Sequence, residues 1–465
     1  MGVQRLPAWF VVAGLSAVIV GCGGGRGAEA GSETGPCYPN TTCNAGLTCL
    51  SNLCVRVDLG NDAGADLAAG TGGEGGSRLD AAPDAPPFQP AAHPRLPQVA
   101  NRGGPVLERP KVLPIFYDVD SSAADIEAFL TALARASYWR EVTAEYGVGP
   151  LQVLPAVRIP GTPPATISDA AIRGTLGVNT SGTAPPWGAP DPSTVYLIVL
   201  PQGTAATFPD GSTCCQDFGG YHFETQTLGV TLPYAVGCSC PGALGTNLTT
   251  LQERTVSISH ELVEVATDPF PNSNPAYRGQ DYANYVWTYL TGGETADLCS
   301  FNPDTAYALP GTSFLVQRSW SNAAAARADN PCVPVASKVP YFNSFAQLED
   351  ITFGTVPTTY PTRGLQIPLG GTRAVDVTLF SAGPIAGKWS VSAYTLEDWL
   401  GGDRSNLGVS LDPAQGGNGD HLLLTLTPRR ANPGIGGEAF VLVSQYGRAG
   451  DPDFQTNLSM GLIRN

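Results

Sequence analysis

The stretch Ser259-His260-Glu261-Leu262-Val263-Glu264-Val265-Ala266-Thr267-Asp268-Pro269 carries side chains able to do chemistry. His260 and Glu264 are four residues apart, so on a helix both project from one face. Glu261 stands about 100° further round. In an H-E-x-x-H helix the outer pair grips zinc while the Glu between them activates water. Here Glu264 replaces the second His. The pattern predicts a metal-dependent hydrolase with His260 and Glu264 as ligands and Glu261 as the base, a peptide bond being the expected target.

Further acids lie downstream in Gly292-Gly293-Glu294-Thr295-Ala296-Asp297-Leu298-Cys299. In gluzincin-type peptidases a later Glu completes the ligand set and an Asp orients a ligand His. By that analogy Glu294 is the expected third ligand and Asp297 the orienting partner, with the roles exchangeable. Asp268 is a weaker candidate, since a turn with Pro269 accounts for it. One His with two carboxylates neutralises Zn²⁺ and blunts its power to acidify water, and oxygen-rich ligation also suits Mn²⁺ or Ca²⁺. A structural Ca²⁺ site from Glu264, Asp268, Glu294 and Asp297 is the rival, and it leaves Glu261 without a role. A buried His held between carboxylates on an apolar helix would give the same pattern with no chemistry. His222, in Gly219-Gly220-Tyr221-His222-Phe223, is a candidate for substrate binding or oxyanion stabilisation; packing beside Cys215 and Cys238 is the plainer reading. No G-x-S-x-G signals a serine hydrolase.

These residues need a scaffold. Thr250 with Glu253 forms a capping box that starts a helix near Leu251, and Pro269 ends it near Thr267. Ile258, Leu262, Val265 and Ala266 make its core face. Upstream, Val112–Tyr117 reads as a strand that Pro114 demotes to an edge or bulged one. Asp125–Tyr146 reads as an amphipathic helix and Ser168–Leu176 as a short one. Leu151–Ile159 and Thr194–Leu200 read as strands, the second apolar enough for a central place. Cys214–Cys240 suggests stapled strands or an irregular hairpin. Residues 111–339 are thus expected to form an α+β, zincin-like domain with a mixed sheet. From residue 340 to 465, short strands at Leu365–Pro368, Ala374–Phe380, Lys388–Tyr394, His421–Thr427, Ala439–Ser444 and Asn457–Leu462 predict an all-β sandwich of accessory role, with His421 at the surface or in packing.

The N-terminus reads as an export signal. Arg5 precedes the apolar run Ala8–Val20, which is too short to span a membrane. Ile19-Val20-Gly21-Cys22 resembles a bacterial lipobox, with Cys22 lipidated and residues 1–22 the signal; ordinary secretory cleavage is the alternative. Gly23, in place of Asp, favours the outer membrane, so the chain is expected to be lipid-anchored there, facing periplasm or cell surface. Ten cysteines remain: Cys37, Cys43, Cys49 and Cys54, then Cys214, Cys215, Cys238, Cys240, Cys299 and Cys332. An oxidising compartment would pair them as two plus three disulfides, with connectivity open. Residues 23–57 read as a tether and small disulfide module, and 58–110 as a disordered stalk rich in Gly, Ala, Asp and Pro. A net charge of −15 argues against nucleic acid or anionic lipid headgroups as partners; on the hydrolase reading a peptide or cell-surface polymer is the expected substrate.

The order of landmarks resembles the phosphate-induced protein, or EXORDIUM-like, family over roughly residues 110 to 335. The matching elements are Val195–Leu200, Cys215-x-x-Phe218-Gly219-Gly220-Tyr221-His222, Tyr234-Ala235-Val236-Gly237-Cys238-Ser239-Cys240-Pro241-Gly242 and Thr267-Asp268-Pro269-Phe270. Bacterial relatives often carry Ser-His-Glu-Leu-x-Glu-x-x-Thr-Asp-Pro, then Gly-Glu-Ile-x-Asp-x-Cys, then Trp-Ser-Asn. Here these correspond to Ser259–Pro269, Gly293–Cys299 with Thr295 for Ile, and Trp320-Ser321-Asn322. The resemblance implies an extracellular location and a shared fold for this domain. Plant members generally lack the His-Glu pair, so the resemblance alone does not imply catalysis, while this sequence carries the residues that metal chemistry would use. A non-catalytic surface module for adhesion, or for binding carbohydrate or matrix, is the alternative function.

Overall fold

The computed structural model describes residues 48–50, 53–55, 87–244, 248–279, 281–355, 358–399, 406–430 and 437–465. Cys22, Cys37, Cys43 and the expected stalk up to residue 86 lie outside them. Of the small module, Thr48–Leu50 pairs antiparallel with Leu53–Val55, and Cys49 stands opposite Cys54. Residues 89–465 form one compact unit.

The core of the catalytic candidate is a mixed sheet. We label its strands β1 (Lys111–Tyr117), β2 (Gln152–Val153), β3 (Val157–Ile159), β4 (Thr194–Val199), β5 (Gly220–Thr227) and β6 (Val230–Gly237). Their order is β2-β1-β4-β6-β5, with β3 also on β1. All pairings are parallel except the β5–β6 hairpin at the edge. Side chains alternate across this sheet. Val112, Phe116, Val195, Leu197 and Val199 face helices α1 (Ala123–Arg135), α2 (Ser137–Thr143) and α4 (Thr250–Thr267). Leu113, Ile115, Tyr196 and Ile198 face Ile172 and Leu176 of α3 (Asp169–Asn179) on the other side. Covering both faces is what a parallel sheet of continuous apolar strands requires.

Several expectations shift. β1 is central despite Pro114. The backbone carbonyl of Val112 accepts from Leu154 on the β2 side, so Pro114, two residues on, also turns its nitrogen to that side. There the neighbouring chain is interrupted between β2 and β3, and no ladder bond is lost. The expected helix 125–146 breaks at Ala136, whose backbone is extended, and this lets Phe129 and Leu133 share a core with Trp139 and Val142. The stalk expected to run to residue 110 ends earlier. Residues 89–110 form a strap along the body, with Leu96, Val99 and Leu107 buried. Val99 exchanges hydrogen bonds with the Asn322 side chain, and Arg95 pairs with Asp281 at 2.7 Å.

The C-terminal strands form two sheets around one core that includes Phe342, Val377, Leu424, Trp389 and Phe440. The strands Phe342–Ala346, Glu349–Thr355 and Leu407–Asp412 were not among those expected. This sandwich-like region shares a second apolar core with the first domain, where Trp287 and Trp320 meet Phe345, Phe380 and Val441. His421 is exposed and pairs with Asp376 at 2.9 Å.

Candidate metal centre

The capping box of α4 lies one residue earlier than expected. The Thr249 hydroxyl accepts from Gln252 N, and Thr249 N donates to the Gln252 side chain. Glu253 instead accepts from Gly242 N and Leu244 N at 2.8 and 3.0 Å, pinning the loop after β6. From Glu253 to Thr267 every residue of α4 is buried. Its single cation is matched, as Arg254 bonds both oxygens of Asp120 and the carbonyl of Leu200.

In its second half, α4 presents His260, Glu261 and Glu264 to a cluster that gathers donors from three further elements. His222 comes from β5. Because Tyr221 packs on the α3 side of the sheet, its neighbour His222 points to the α4 side. Asp297 opens α6 (Asp297–Ser300), and Glu294 lies between it and α5 (Tyr285–Leu290). Gln317 ends a short strand, β7 (Leu315–Gln317), packed on α4.

His260 Nε2 lies 3.0 Å from Glu264 Oε2 and 3.7 Å from Asp297 Oδ1. Each of these three side chains is held from behind. His260 Nδ1 is 3.1 Å from Gln317 Oε1, and the Gln317 amide is oriented by donating to the Ala296 carbonyl at 2.8 Å. That makes Nδ1 a donor and turns Nε2 towards Glu264 and Asp297. Glu264 Oε1 accepts from Asp297 N at 3.0 Å, so Oε2 faces the histidine. Asp297 Oδ2 accepts from Glu294 N at 3.2 Å, so Oδ1 does likewise. Gln317 is itself fixed, its N donating to Ser259 Oγ at 2.9 Å and its carbonyl accepting from Tyr138 OH.

The exchangeable pair is therefore divided by position. Asp297 joins His260, while Glu294 lies 3.5 Å from His222 Nε2 and 3.9 Å from Arg278 Nε. Glu294 precedes α6, and its side chain turns to His222 on β5, whereas Asp297 faces His260. His222 is no bystander beside the disulfides: its Nδ1 lies 3.5 Å from Glu261 Oε2 and 3.7 Å from Glu264 Oε2. Asp268 caps the loop after α4, accepting from Ala276 N at 2.7 Å through Oδ1.

Burial sets the electrostatics. It pulls the His260 imidazolium down, but Glu264, Glu261 and Asp297 push its pKa up to about 10. His222 is likewise held well above the ordinary histidine value against burial, by Glu294, Glu261 and Glu264. Burial raises Glu261. Burial and then Glu294 raise Asp268 to about 7, and burial and then Glu264 carry Asp297 well up. Glu294, against burial, is held down to about 2 by His222 and Arg278.

The donor set fits a divalent ion. Four-coordinate metal–ligand bonds of about 2.1 Å put donor atoms roughly 3.4 Å apart, and the 3.0 and 3.7 Å separations bracket that. Imidazole nitrogen with carboxylates suits Zn²⁺ or Mn²⁺ better than Ca²⁺. Access is the weaker part. His222, His260, Glu261, Glu264, Glu294 and Asp297 are each at most 5% exposed, so the cluster does not itself open on solvent. A pocket is lined by Gly219, Cys238, Cys240, Ala243, Leu244, Glu253 and Ser257. Ser257 stands one turn before Glu261, and both lie within 3 Å of where a Cβ on Gly220 would be. Disulfides Cys214–Cys238 and Cys215–Cys240 staple this wall, and Cys299–Cys332 ties α6 to the segment after Trp320.

Sequence reasoning missed Gln317, whose one local signal is an amide inside the apolar strand β7. No helix among the described residues is long and apolar enough to cross a membrane. No family model matches the chain, and no curated protein does. Among solved structures, domains 4 and 5 of the S-layer protein SbsC are similar at 11% identity with a TM-score of 0.15. That match covers 26% of this chain and 54% of the other, about half its length, and it carries no argument about fold or function.

Proposed function

We propose that this chain is a metal-dependent hydrolase of the cell envelope with a zincin-like centre, acting on peptide bonds. The observation that supports it best is the tethering of His260, Glu264 and Asp297 from behind, which leaves one donor atom of each facing the others. Those three residues would hold Zn²⁺ or Mn²⁺. When bound, the ion supplies Lewis acidity to a carbonyl oxygen and to the attacking water. Glu261 would take a proton from the attacking water and pass it to the leaving amine. Its burial raises its pKa towards the range a general base needs. His222, cationic among its carboxylates, faces the same space and would stabilise developing negative charge.

Two substitutions test this reading. Glu261→Gln is expected to keep the fold and the ion at His260 while lowering peptide hydrolysis about 10²- to 10⁴-fold. Gln317→Ala should weaken metal affinity about 10- to 100-fold by freeing the ring of His260. Hydrolysis by Glu261→Gln equal to wild type would refute the assignment.

The burial of the cluster favours a second reading, a structural ion in a non-catalytic envelope module. It predicts a stoichiometric ion whose removal lowers the melting temperature, with no peptide cleaved by the wild type.

A further inference from the structure

We infer that the cluster has a second cation seat, formed by His222 Nδ1, Glu261 Oε2 and Glu264 Oε2, beside the seat at His260. It rests on the metal reading above and adds a second equivalent to it. The three donor atoms lie within 4.8 Å of one another. The separations of 3.5 and 3.7 Å from His222 Nδ1 suit the roughly 3.4 Å of donors around one small divalent ion. Glu264 Oε2 belongs to both groups, as a shared carboxylate does between the paired ions of two-metal sites.

Two independent observations point the same way. On the far side of the ring His222 Nε2 faces Glu294 Oε1 at 3.5 Å, so Nδ1 is the nitrogen turned to Glu261 and Glu264. Charge is the other. Five carboxylates (Glu261, Glu264, Asp268, Glu294 and Asp297) surround two imidazoles, and Arg278 is the guanidinium that reaches them. Carboxyl groups outnumber the guanidinium five to one, an excess that bound cations would offset.

Nitrogen with carboxylates again selects Zn²⁺ or Mn²⁺. An ion in this seat would occupy the oxygen with which Glu261 carries its proton. Filling it is therefore expected to slow hydrolysis, so excess metal acts as a brake.

The test is metal stoichiometry of the full chain, purified from an oxidising compartment, stripped with chelator and titrated with Zn²⁺ under native mass spectrometry. Two equivalents are expected, falling to one in His222→Ala. One equivalent in the wild type, unchanged in His222→Ala, overturns the second seat and leaves the first reading standing. No bound ion overturns both. A folded His222→Ala that binds none makes His222 part of a single seat and also overturns the proposal. Mn²⁺ loading needs no variant: two equivalents should give a spin-coupled paramagnetic resonance spectrum, and isolated six-line signals alone would count against adjacent seats.

Discussion

At the scale of residues, the cluster balances protons as well as charge. In the metal-free protein His260, His222, Asp268 and Asp297 all hold protons more tightly than in the unfolded chain, His260 up to about 10 and Asp268 up to about 7. A raised folded pKa gives stability that is complete below the unfolded value and lost as pH rises through the folded one. Glu294, held down to about 2, works the other way, and its contribution is lost as pH falls from about 4 towards 2. Metal-free protein should thus be most stable near pH 4–5, with a melting temperature that falls as pH rises to 9; calorimetric scans after chelation check this, and a rise over that range would contradict it. His260, Glu261 and Glu264 were legible because helix periodicity alone sets them on adjoining faces. His222 was not, since its direction depends on the β5–β6 register. Asp297 and Glu294 could not be told apart, because a spacing of three outside a helix fixes no common face.

At the scale of elements, α4 buries three carboxylates and an arginine, which is tolerable because each has partners. Arg254 and Asp120 form the anchor at its first turn, with side chains 2% and 3% exposed. Arg254→Ala would leave Asp120 buried without its partner and should cost about 3–5 kcal/mol, read by urea unfolding. A cost below about 1 kcal/mol would show that water replaces the guanidinium there. The helix itself was readable from Pro269 and the apolar stripe, although two overlapping capping patterns, Thr249 with Gln252 and Thr250 with Glu253, differ by one residue. Their choice is made by the backbone of Gly242 and Leu244, which claims Glu253. The centrality of β1 was hidden because Pro114 is excused by a gap in its neighbour, a feature of sheet order.

At the scale of the whole molecule, the two regions expected to be separate are joined. Trp287, Trp320, Phe345, Phe380 and Val441 lie in one core, so ending the chain after residue 339 would expose aromatic surface. Such a truncation is expected to yield no cooperative thermal transition, whereas an independent sandwich would leave the transition intact. The six cysteines of residues 214–332 announced three bridges by their even count, and the fold supplies their partners. The strap escaped notice because three scattered apolar residues among prolines give no periodicity, and distant segments bury them. Its route carries a mechanical consequence. Gln89 and Ala91 bond Asn418, and His93 lies against Phe380, before the strap reaches Asp281, Asn322, Ala276 and finally Ala266 beside the centre. Tension arriving along the chain from the N-terminal side must first peel the strap from the C-terminal sheets. Only then would load reach the loop that Asp268 caps, so a pull on the strap would strain its contacts with the sandwich before the acidic cluster.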